Sequence, residues 1–480
     1  MHPTLIDHAV NFTVRWATVA LTEAQRELHA NAEKWGVEYP PTASFAEAHP
    51  LTQDEARIPT SRYTSPDFLA LEIELLWKRV WQMACRSDEI AEPGAYVEYR
   101  IADQSYLVVR QHDGSAKAFH NVCRHRGNTI RTGCGQTDEL RCRYHYWCWD
   151  IDGSLAEIPD RHLFDTVNAP LDESQYGLGE IACDEWGGFV MVNPDPDAPP
   201  LLDFLGDVAT QLAPYRFDDM AQLTYIETEL SCNWKVAVEA FIEVYHVQGI
   251  HPQLLPMVDD VNTAFEVMAP HSRMIVPFGV PSMRVEDVAP NEVLEAFIAE
   301  SGNTATLDPE EQEAGGASAV LAEATGGNDD VDDAINSVRQ FLIERSRRRG
   351  EKAGHGYDGL TDSQMIDDWH YLIFPGMVFN THAGGFLLFR IRPDFRDPDR
   401  CQFDIYRFGL PDGPEKPAPA EKIPVPEGGA SFGRVLDQDF ANLPGVQRGL
   451  HSDGLDFVTI SSQEVRIAAL QAAIDEHLAR

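Results

Sequence analysis

Four residues in the first part of the chain are of the types that bind iron. Cys123 and His125 are separated by one residue, and Cys142 and His145 by two. Two loops that each carry one cysteine and one histidine can hold a [2Fe–2S] cluster, with the thiolates on one iron and the imidazoles on the other. The alternative is a Cys2His2 zinc site, but zinc fingers place the two cysteines together and the two histidines together. The spacing therefore favours the iron–sulfur cluster.

A second group of candidate ligands, Glu243, His246 and His251, lies near the middle of the chain. Apolar spacing predicts a helix over 236–247, so Glu243 and His246 should share one face, and His251 should follow the helix end. Two imidazoles and a carboxylate from elsewhere form a triad that binds Fe(II) and leaves positions open for dioxygen and substrate. Two histidines at this spacing are by themselves more typical of core or surface packing. The motif upstream makes iron the favoured interpretation.

The elements that must position these residues change along the chain. Short β runs over 81–193, separated by Gly and Asp turns, predict a small antiparallel sandwich, and the prolines of 194–200 predict a linker. Downstream, a strand is predicted over 223–230, four strands over 371–408, and helices over 434–450 and 462–478. We therefore predict an α+β protein with an N-terminal helical arm (1–80) packed on the catalytic domain, a cluster domain (81–195) and a catalytic domain (196–480). An Ala-, Gly- and acid-rich insertion near 303–333 is too poor in apolar residues to order well and is predicted to be mobile.

Composition excludes several classes of partner. The formal net charge is −39, which argues against nucleic acid and anionic membranes. The eight cysteines are scattered, and we find neither a long apolar run nor a secretory signal, so a cytoplasmic location is expected. Arginines are nevertheless concentrated around the cluster motif, at positions 124, 126, 131, 141 and 143. These arginines predict a basic docking surface for an acidic electron donor, unless they only hold loops or bridge subunits.

Taken together, the two motifs resemble those of the catalytic α subunit of Rieske non-haem iron aromatic ring-hydroxylating oxygenases. The resemblance implies a Rieske β-sandwich domain and a helix-grip catalytic domain, in which an antiparallel sheet packs against helices. It also implies that the third iron ligand is Asp439, which precedes Gln447-Arg448-Gly449-Leu450 in the family's register; Asp437 is the alternative. Glu243 takes the place of a bridging carboxylate between a mononuclear-iron histidine of one subunit and His125 or His145 of the next. Many ring-hydroxylating members carry Asp there, whereas Glu is familiar from members that act on quaternary ammonium compounds.

The resemblance implies a terminal oxygenase that uses O2 and electrons from NAD(P)H, delivered by a separate ferredoxin or reductase. The predicted reaction is mono- or dihydroxylation of an aromatic or other hydrophobic substrate. The alternative is a monooxygenase or demethylase for an O-methyl, N-methyl or quaternary ammonium substrate, and an electron carrier is a third hypothesis. A head-to-tail homotrimer is expected, and a β subunit is possible.

Overall fold

The computed structural model describes residues 34–165, 171–300, 316–325, 330–411, 413 and 415–480. The chain divides into two compact units: the first is Ala70–Asp219, and the second joins the residues up to Leu69 to Met220–Arg480. The boundaries predicted at residues 81 and 195 stay predictions. Residues 1–33 of the predicted helical arm lie outside the described residues, as do 301–315 and 326–329 of the predicted insertion.

Strands and helices are named in chain order. The strands are β1 (Ser44–Phe45), β2 (Arg57–Pro59), β3 (Gln82–Arg86), β4 (Ala95–Ile101), β5 (Gln104–Arg110), β6 (Ala116–His120), β7 (Cys134–Gln136), β8 (Glu139–Arg141), β9 (Cys148–Asp150), β10 (Leu155–Glu157), β11 (Glu180–Trp186), β12 (Phe189–Asn193), β13 (Ala221–Leu230), β14 (Ala264–Met268), β15 (His271–Val276), β16 (Asp368–Ile373), β17 (Met377–His382), β18 (Gly385–Asp394), β19 (Asp397–Gly409), β20 (Lys422–Pro424) and β21 (Phe457–Thr459). The helices are α1 (Ser61–Thr64), α2 (Pro66–Glu72), α3 (Arg161–Asp165), α4 (Leu201–Leu205), α5 (Asp207–Leu212), α6 (Trp234–Phe241), α7 (Val247–Ile250), α8 (Pro290–Glu300), α9 (Ala317–Thr325), α10 (Val331–Ala353), α11 (Asp362–Ile366), α12 (Arg434–Leu450) and α13 (Val465–Leu478).

The first unit contains two antiparallel sheets. Seven strands pair in the order β3-β12-β11-β6-β5-β4-β7, and three strands pair in the order β10-β9-β8. One apolar cluster contains residues from both sheets together with Cys123, Cys142 and Trp147. The candidate cluster loops are therefore anchored in the core of this unit, as the sandwich prediction requires.

The second unit is built on a nine-stranded sheet in the order β1-β14-β15-β16-β17-β18-β19-β13-β20. Its neighbours are antiparallel except for β13 and β20. Helix α6 packs on β18 and β19, α13 packs on β14 and β15, and α12 packs on α6 and β13. This arrangement of helices on an antiparallel sheet confirms the predicted α+β class.

Two helical segments are shorter than an uninterrupted helix would be. Residues 201–212 form two helices, α4 and α5, because Gly206 adopts the left-handed region with φ 52°. The helix predicted over 236–247 was wrong in extent. Helix α6 begins at its N-cap Asn233, whose side chain accepts a hydrogen bond from the backbone N–H of Lys235, and ends at Phe241. Glu243 and His246 therefore lie in the turn before α7, not on a continuous helical face.

The described part of the predicted insertion is helical. It contains α9 and the first residues of α10, whose N-cap Asp330 accepts a hydrogen bond from the backbone N–H of Asp333. Within the residues that the structure describes, no helix combines the length and the apolar character needed to span a bilayer.

Candidate metal centres

The two cluster loops have the same backbone pattern. The N–H groups of Gly127 and Tyr146 each donate to the carbonyl of the cysteine four positions earlier, at 3.0 Å. Both residues adopt positive φ, 75° for Gly127 and 63° for Tyr146. A tyrosine is strained in this region, where glycine is not, so the second loop keeps its turn at an energetic cost. Each loop thereby curls around its cysteine.

The cysteine thiols lie inside these curls. Cys123 and Cys142 are 4% and 1% exposed. The backbone N–H of Tyr144 lies 3.5 Å from Cys142 Sγ, and Asn128 Nδ2 lies 3.7 Å from it. Burial raises the pKa of Cys142, but hydrogen bonds from the backbone of Tyr144, from Cys123, from Asn128 and from the backbone of His145 together outweigh burial, and the net shift is downward. Such donors stabilise thiolate ligands of a cluster.

The two histidines of the loops are neighbours. The rings of His125 and His145 have centroids 4.6 Å apart at 70°, and His125 stacks on Trp147 at 5.1 Å. Nδ1 of His125 is buried and has no hydrogen-bond partner. A buried ring nitrogen without a partner costs free energy unless it binds a metal. The residues therefore fit a bound cluster.

The second predicted site forms a compact set of ligand atoms. Three potential metal ligands lie close together among the residues that the structure describes. They are His246, His251 and Asp439, and their ligand atoms all lie within 4.8 Å of one another. Nε2 of His251 lies 2.8 Å from Asp439 Oδ1, and Nε2 of His246 lies 3.8 Å from it. The two Nε2 atoms and one carboxylate oxygen suit Fe(II).

Each histidine is oriented through its other ring nitrogen. Nδ1 of His246 lies 2.5 Å from Glu243 Oε1, and its backbone N–H donates to Oε2 at 3.1 Å. Nδ1 of His251 lies 2.9 Å from Oε1 of Gln438, which also accepts from Gln253 Nε2 at 2.6 Å. Since both oxygens accept, each imidazole carries its proton on Nδ1 and presents Nε2 to a metal. The sequence prediction missed Gln438; its position beside Asp439 was the available signal.

The alternative ligand Asp437 is engaged elsewhere. Its carboxylate accepts hydrogen bonds from Ser431 Oγ at 2.5 Å and from the backbone N–H of Phe432 at 2.8 Å. It therefore ties the start of α12 to the preceding loop, while Asp439 is 5% exposed beside the histidines.

A cavity of about 230 Å³ adjoins this set. Glu239, Glu243, His246, Asp439 and Glu464 provide its polar lining, and the remainder is mostly aliphatic. Burial raises the pKa of Glu239 to about 7, although Gln471 and Tyr63 donate hydrogen bonds to its carboxylate.

Several phenylalanines of the catalytic unit pack against other aromatic side chains. Phe241 packs against Phe389 at 4.8 Å. Phe374 instead stacks on His477, and Phe379 packs against Phe386. Core packing accounts for these residues.

Four of the five arginines around the cluster motif divide into two groups. Arg141 is paired with Glu139 and Glu157, and Arg131 donates to the carbonyl of Glu139. These two hold the loops together. Arg143 is exposed, and Arg124 is exposed with a single hydrogen bond, at 3.1 Å, to the carbonyl of Gln175.

Comparisons with known proteins give a matching family for each of the two domains that carry these sites. The family model described as the ring hydroxylating alpha subunit (catalytic domain) matches residues 217–480, and that of the Rieske [2Fe-2S] domain matches 80–168. The glycine betaine monooxygenase oxygenase subunit of Chromohalobacter salexigens is 34% identical over 204 residues, 42% of this chain and 45% of that protein. The chloroplastic choline monooxygenase of Beta vulgaris is 31% identical over 205 residues, 42% of this chain and 45% of that protein. The chain thus spans about half the length of these curated relatives.

Solved structures share the fold. A quaternary ammonium Rieske monooxygenase in complex with L-carnitine superposes with a TM-score of 0.58 at 18% identity, covering 92% of this chain and 99% of that chain. Naphthalene 1,2-dioxygenase with bound indole superposes with a TM-score of 0.57 at 17% identity, covering 92% of this chain and 94% of that chain. The catalytic-domain match alone covers more than half of the chain. The chain therefore belongs to the ring-hydroxylating alpha-subunit family, with a Rieske [2Fe–2S] domain and a catalytic domain that carries a mononuclear iron site.

Proposed function

We propose that this chain is the oxygenase component of a Rieske monooxygenase that oxidises a small quaternary ammonium compound. The observation that carries the proposal is the convergence of His246, His251 and Asp439 in a chain that also has a Rieske domain. A quaternary ammonium substrate is the alternative that the sequence predicted beside an aromatic one. Relatives named for glycine betaine, choline and carnitine support it over an aromatic substrate.

Two separate sets of residues would bind the two metal centres. Cys123, His125, Cys142 and His145 would hold the [2Fe–2S] cluster, and the triad would hold the mononuclear iron. When bound, that iron supplies the oxygen chemistry: two electrons, two protons and one O2 give a hydroxylated substrate and one water. Glu243 and Gln438 keep the two imidazoles in the tautomer that leaves Nε2 free.

Electrons must also reach the mononuclear site. We assign this role to Glu243, whose carboxylate would accept hydrogen bonds from His246 in its own subunit and from His125 or His145 of a neighbouring subunit. A head-to-tail ring, which we propose to be a homotrimer, provides such neighbours. The electrons would come from NAD(P)H through a separate ferredoxin or reductase. An additional β subunit is compatible with this scheme.

The first experiment distinguishes an oxygenase from an electron carrier. Iron analysis of anaerobically reconstituted protein should find one iron beyond the two of the cluster. A carrier would bind the cluster iron alone. A substrate screen with a surrogate reductase should then give oxidised products from glycine betaine, choline or carnitine. Turnover of aromatic hydrocarbons, without turnover of any quaternary ammonium compound, would contradict the proposed substrate.

The second experiment tests the bridging carboxylate. Glu243→Gln should keep the cluster spectrum and the mononuclear iron but strongly lower O2-coupled turnover, because the amide cannot accept hydrogen bonds from two imidazoles as a carboxylate does. Asp437→Asn is the control, since it changes an acid that lies away from the triad. Loss of mononuclear iron with normal electron transfer would contradict the bridging role.

A further inference from the structure

A second group of polar side chains, which we call the inner polar cluster, is enclosed between the nine-stranded sheet and α13. Its members come from β16, β17 and α13, and are Asp368, His370, Asn380, His382 and Arg466. His370 and Asn380 are directly opposite in the β16–β17 pairing, so their side chains share one sheet face. Arg466 approaches this face from α13 and donates from Nη1 to His370 Nδ1 at 3.1 Å. Asn380 and His382 keep part of their surface accessible.

Arg466 is a buried cation that makes no direct contact with a carboxylate; burial lowers its pKa to about 9, and the charge of Asp368 partly opposes this shift. Its side chain is 0% exposed. Its hydrogen bonds go to neutral acceptors: Ser272 Oγ at 3.0 Å, the carbonyl of Ser272 at 3.2 Å, the carbonyl of Ile242 at 3.3 Å and His370. Among the described residues it takes part in no ion pair. Burying a charge without a counter-charge is costly, which makes the surroundings of Arg466 favourable for an anion.

Two other members of the cluster have unused hydrogen-bonding atoms. Oδ1 of Asp368 and Nδ2 of Asn380 are buried and have no partner. Asp368 is 7% exposed, and burial raises the pKa of its carboxyl to about 8, although the charge of Arg466 lowers it. The Asp368 carboxyl is therefore mostly protonated at neutral pH and can itself donate a hydrogen bond.

The two histidines add no positive charge. Arginine can only donate, so Nδ1 of His370 accepts from Arg466 and the ring proton lies on Nε2. Burial, together with the charge of Arg466, holds the pKa of His370 well below its usual value, and burial lowers the pKa of His382 to about 4. At neutral pH both histidines are therefore neutral, and Arg466 is the cationic member of the cluster.

The inner polar cluster is linked to the iron-site segment. The same Nη1 of Arg466 that contacts His370 also donates to the carbonyl of Ile242, which directly precedes Glu243. Phe241, at the end of α6, packs against Phe389 of β18.

We propose that the inner polar cluster binds the carboxylate of a betaine-type substrate, a small molecule that carries both a quaternary ammonium group and a carboxylate. This inference rests on the proposed function and narrows its substrate class. The carboxylate would accept hydrogen bonds from Asn380 Nδ2 and from the Asp368 hydroxyl, and the positive charge of Arg466 would attract it. Choline has no carboxylate, so it would gain nothing from these groups.

Equilibrium binding to the anaerobic, iron-loaded enzyme tests this inference by calorimetry, independently of turnover. The parent enzyme should bind glycine betaine more tightly than choline. Asn380→Leu removes a donor to a charged group and should weaken glycine betaine binding by about tenfold or more, with choline binding unchanged. Tyr371→Phe is the matched control. Tyr371 follows His370 in β16, so its side chain lies on the opposite sheet face, where its hydroxyl accepts a hydrogen bond from Arg273.

The pH dependence gives a second signature. Asp368 is faced by Arg466 of α13, by His370 and His382, and by Asp367, which is paired with Arg339. Since the protonated carboxyl favours an anion, glycine betaine affinity should fall as pH rises through about 8. Asp368→Asn should remove this fall and keep the affinity at neutral pH.

The possible results separate the two claims. If Asn380→Leu binds both ligands as the parent does, and Asp368→Asn keeps the parent's dependence of glycine betaine affinity on pH, the cluster is not the carboxylate site, while the proposed function stands. A parent enzyme that prefers choline to glycine betaine also overturns the inference alone. If the parent binds no quaternary ammonium compound and oxidises aromatic substrates, both claims are wrong.

Discussion

Replacing Gln438 by leucine should weaken iron binding although Gln438 is not a predicted ligand. Its Oε1 accepts from His251 Nδ1 at 2.9 Å, and His251 is 1% exposed. Leucine has a similar size but cannot accept, so the Nδ1–H of a buried imidazole would lose its partner at a cost of about 1–3 kcal/mol. Losing an outer partner of a metal-bound histidine typically costs about 10–100-fold in affinity, which corresponds to roughly 1.4–2.8 kcal/mol. The two magnitudes agree.

An anaerobic competition titration against a chelator, with the cluster loaded, would measure this affinity. Gln438→Glu keeps an acceptor at the same position and should bind iron at least as tightly as the parent. Asp437→Asn alters the preceding residue, whose carboxylate bonds Ser431 and Phe432, and should leave the affinity unchanged. If Gln438→Leu binds iron as tightly as the parent, the orientation of His251 does not depend on this hydrogen bond and our reasoning is refuted.

Three further predictions concern the ligand, the docking surface and the stability of the catalytic unit. Asp439→Ala should lose the mononuclear iron and keep the cluster, whereas Asp437→Ala should keep both; metal analysis with cluster absorbance decides, and the opposite pattern would move the ligand. Arg143→Glu should slow cluster reduction by an acidic ferredoxin and flatten its decline with salt, because opposite surface charges attract over roughly 8 Å at physiological ionic strength; stopped-flow rates that match the parent at every salt concentration would place the partner elsewhere. Arg339→Met should destabilise the unit by about 3–5 kcal/mol, because Arg339 and Asp367 form a pair that is 0% exposed on both sides; the shift in denaturation midpoint measures it, and Asp367→Leu in the same chain should recover most of the loss.

The fold could be predicted wherever the pattern is local. Alternating apolar residues predicted the strands that became β13 and β16–β19, and the helix predicted over 434–450 has the bounds of α12. Helix α6 ends earlier than its periodicity suggests. Arg466, which is 224 positions away in sequence, donates to the carbonyl of Ile242 at the helix end. A local sequence pattern cannot predict a hydrogen bond between residues so far apart in the sequence.

The sequence by itself determined the two sets of metal-binding residue types. Cys123 and His125 lie in one tight turn, and Cys142 and His145 lie in another. Their spacing in the sequence is therefore enough to predict the cluster. Only the tertiary structure shows that Asp439, and not Asp437, lies beside the two histidines. Successive helical residues are rotated by about 100°, so two acids two positions apart point to different sides of α12. Which side meets His251 depends on how α12 packs against α6, and that packing also brought Gln438 to the imidazole. The packing of α13 on β14 and β15 brought Arg466 to His370.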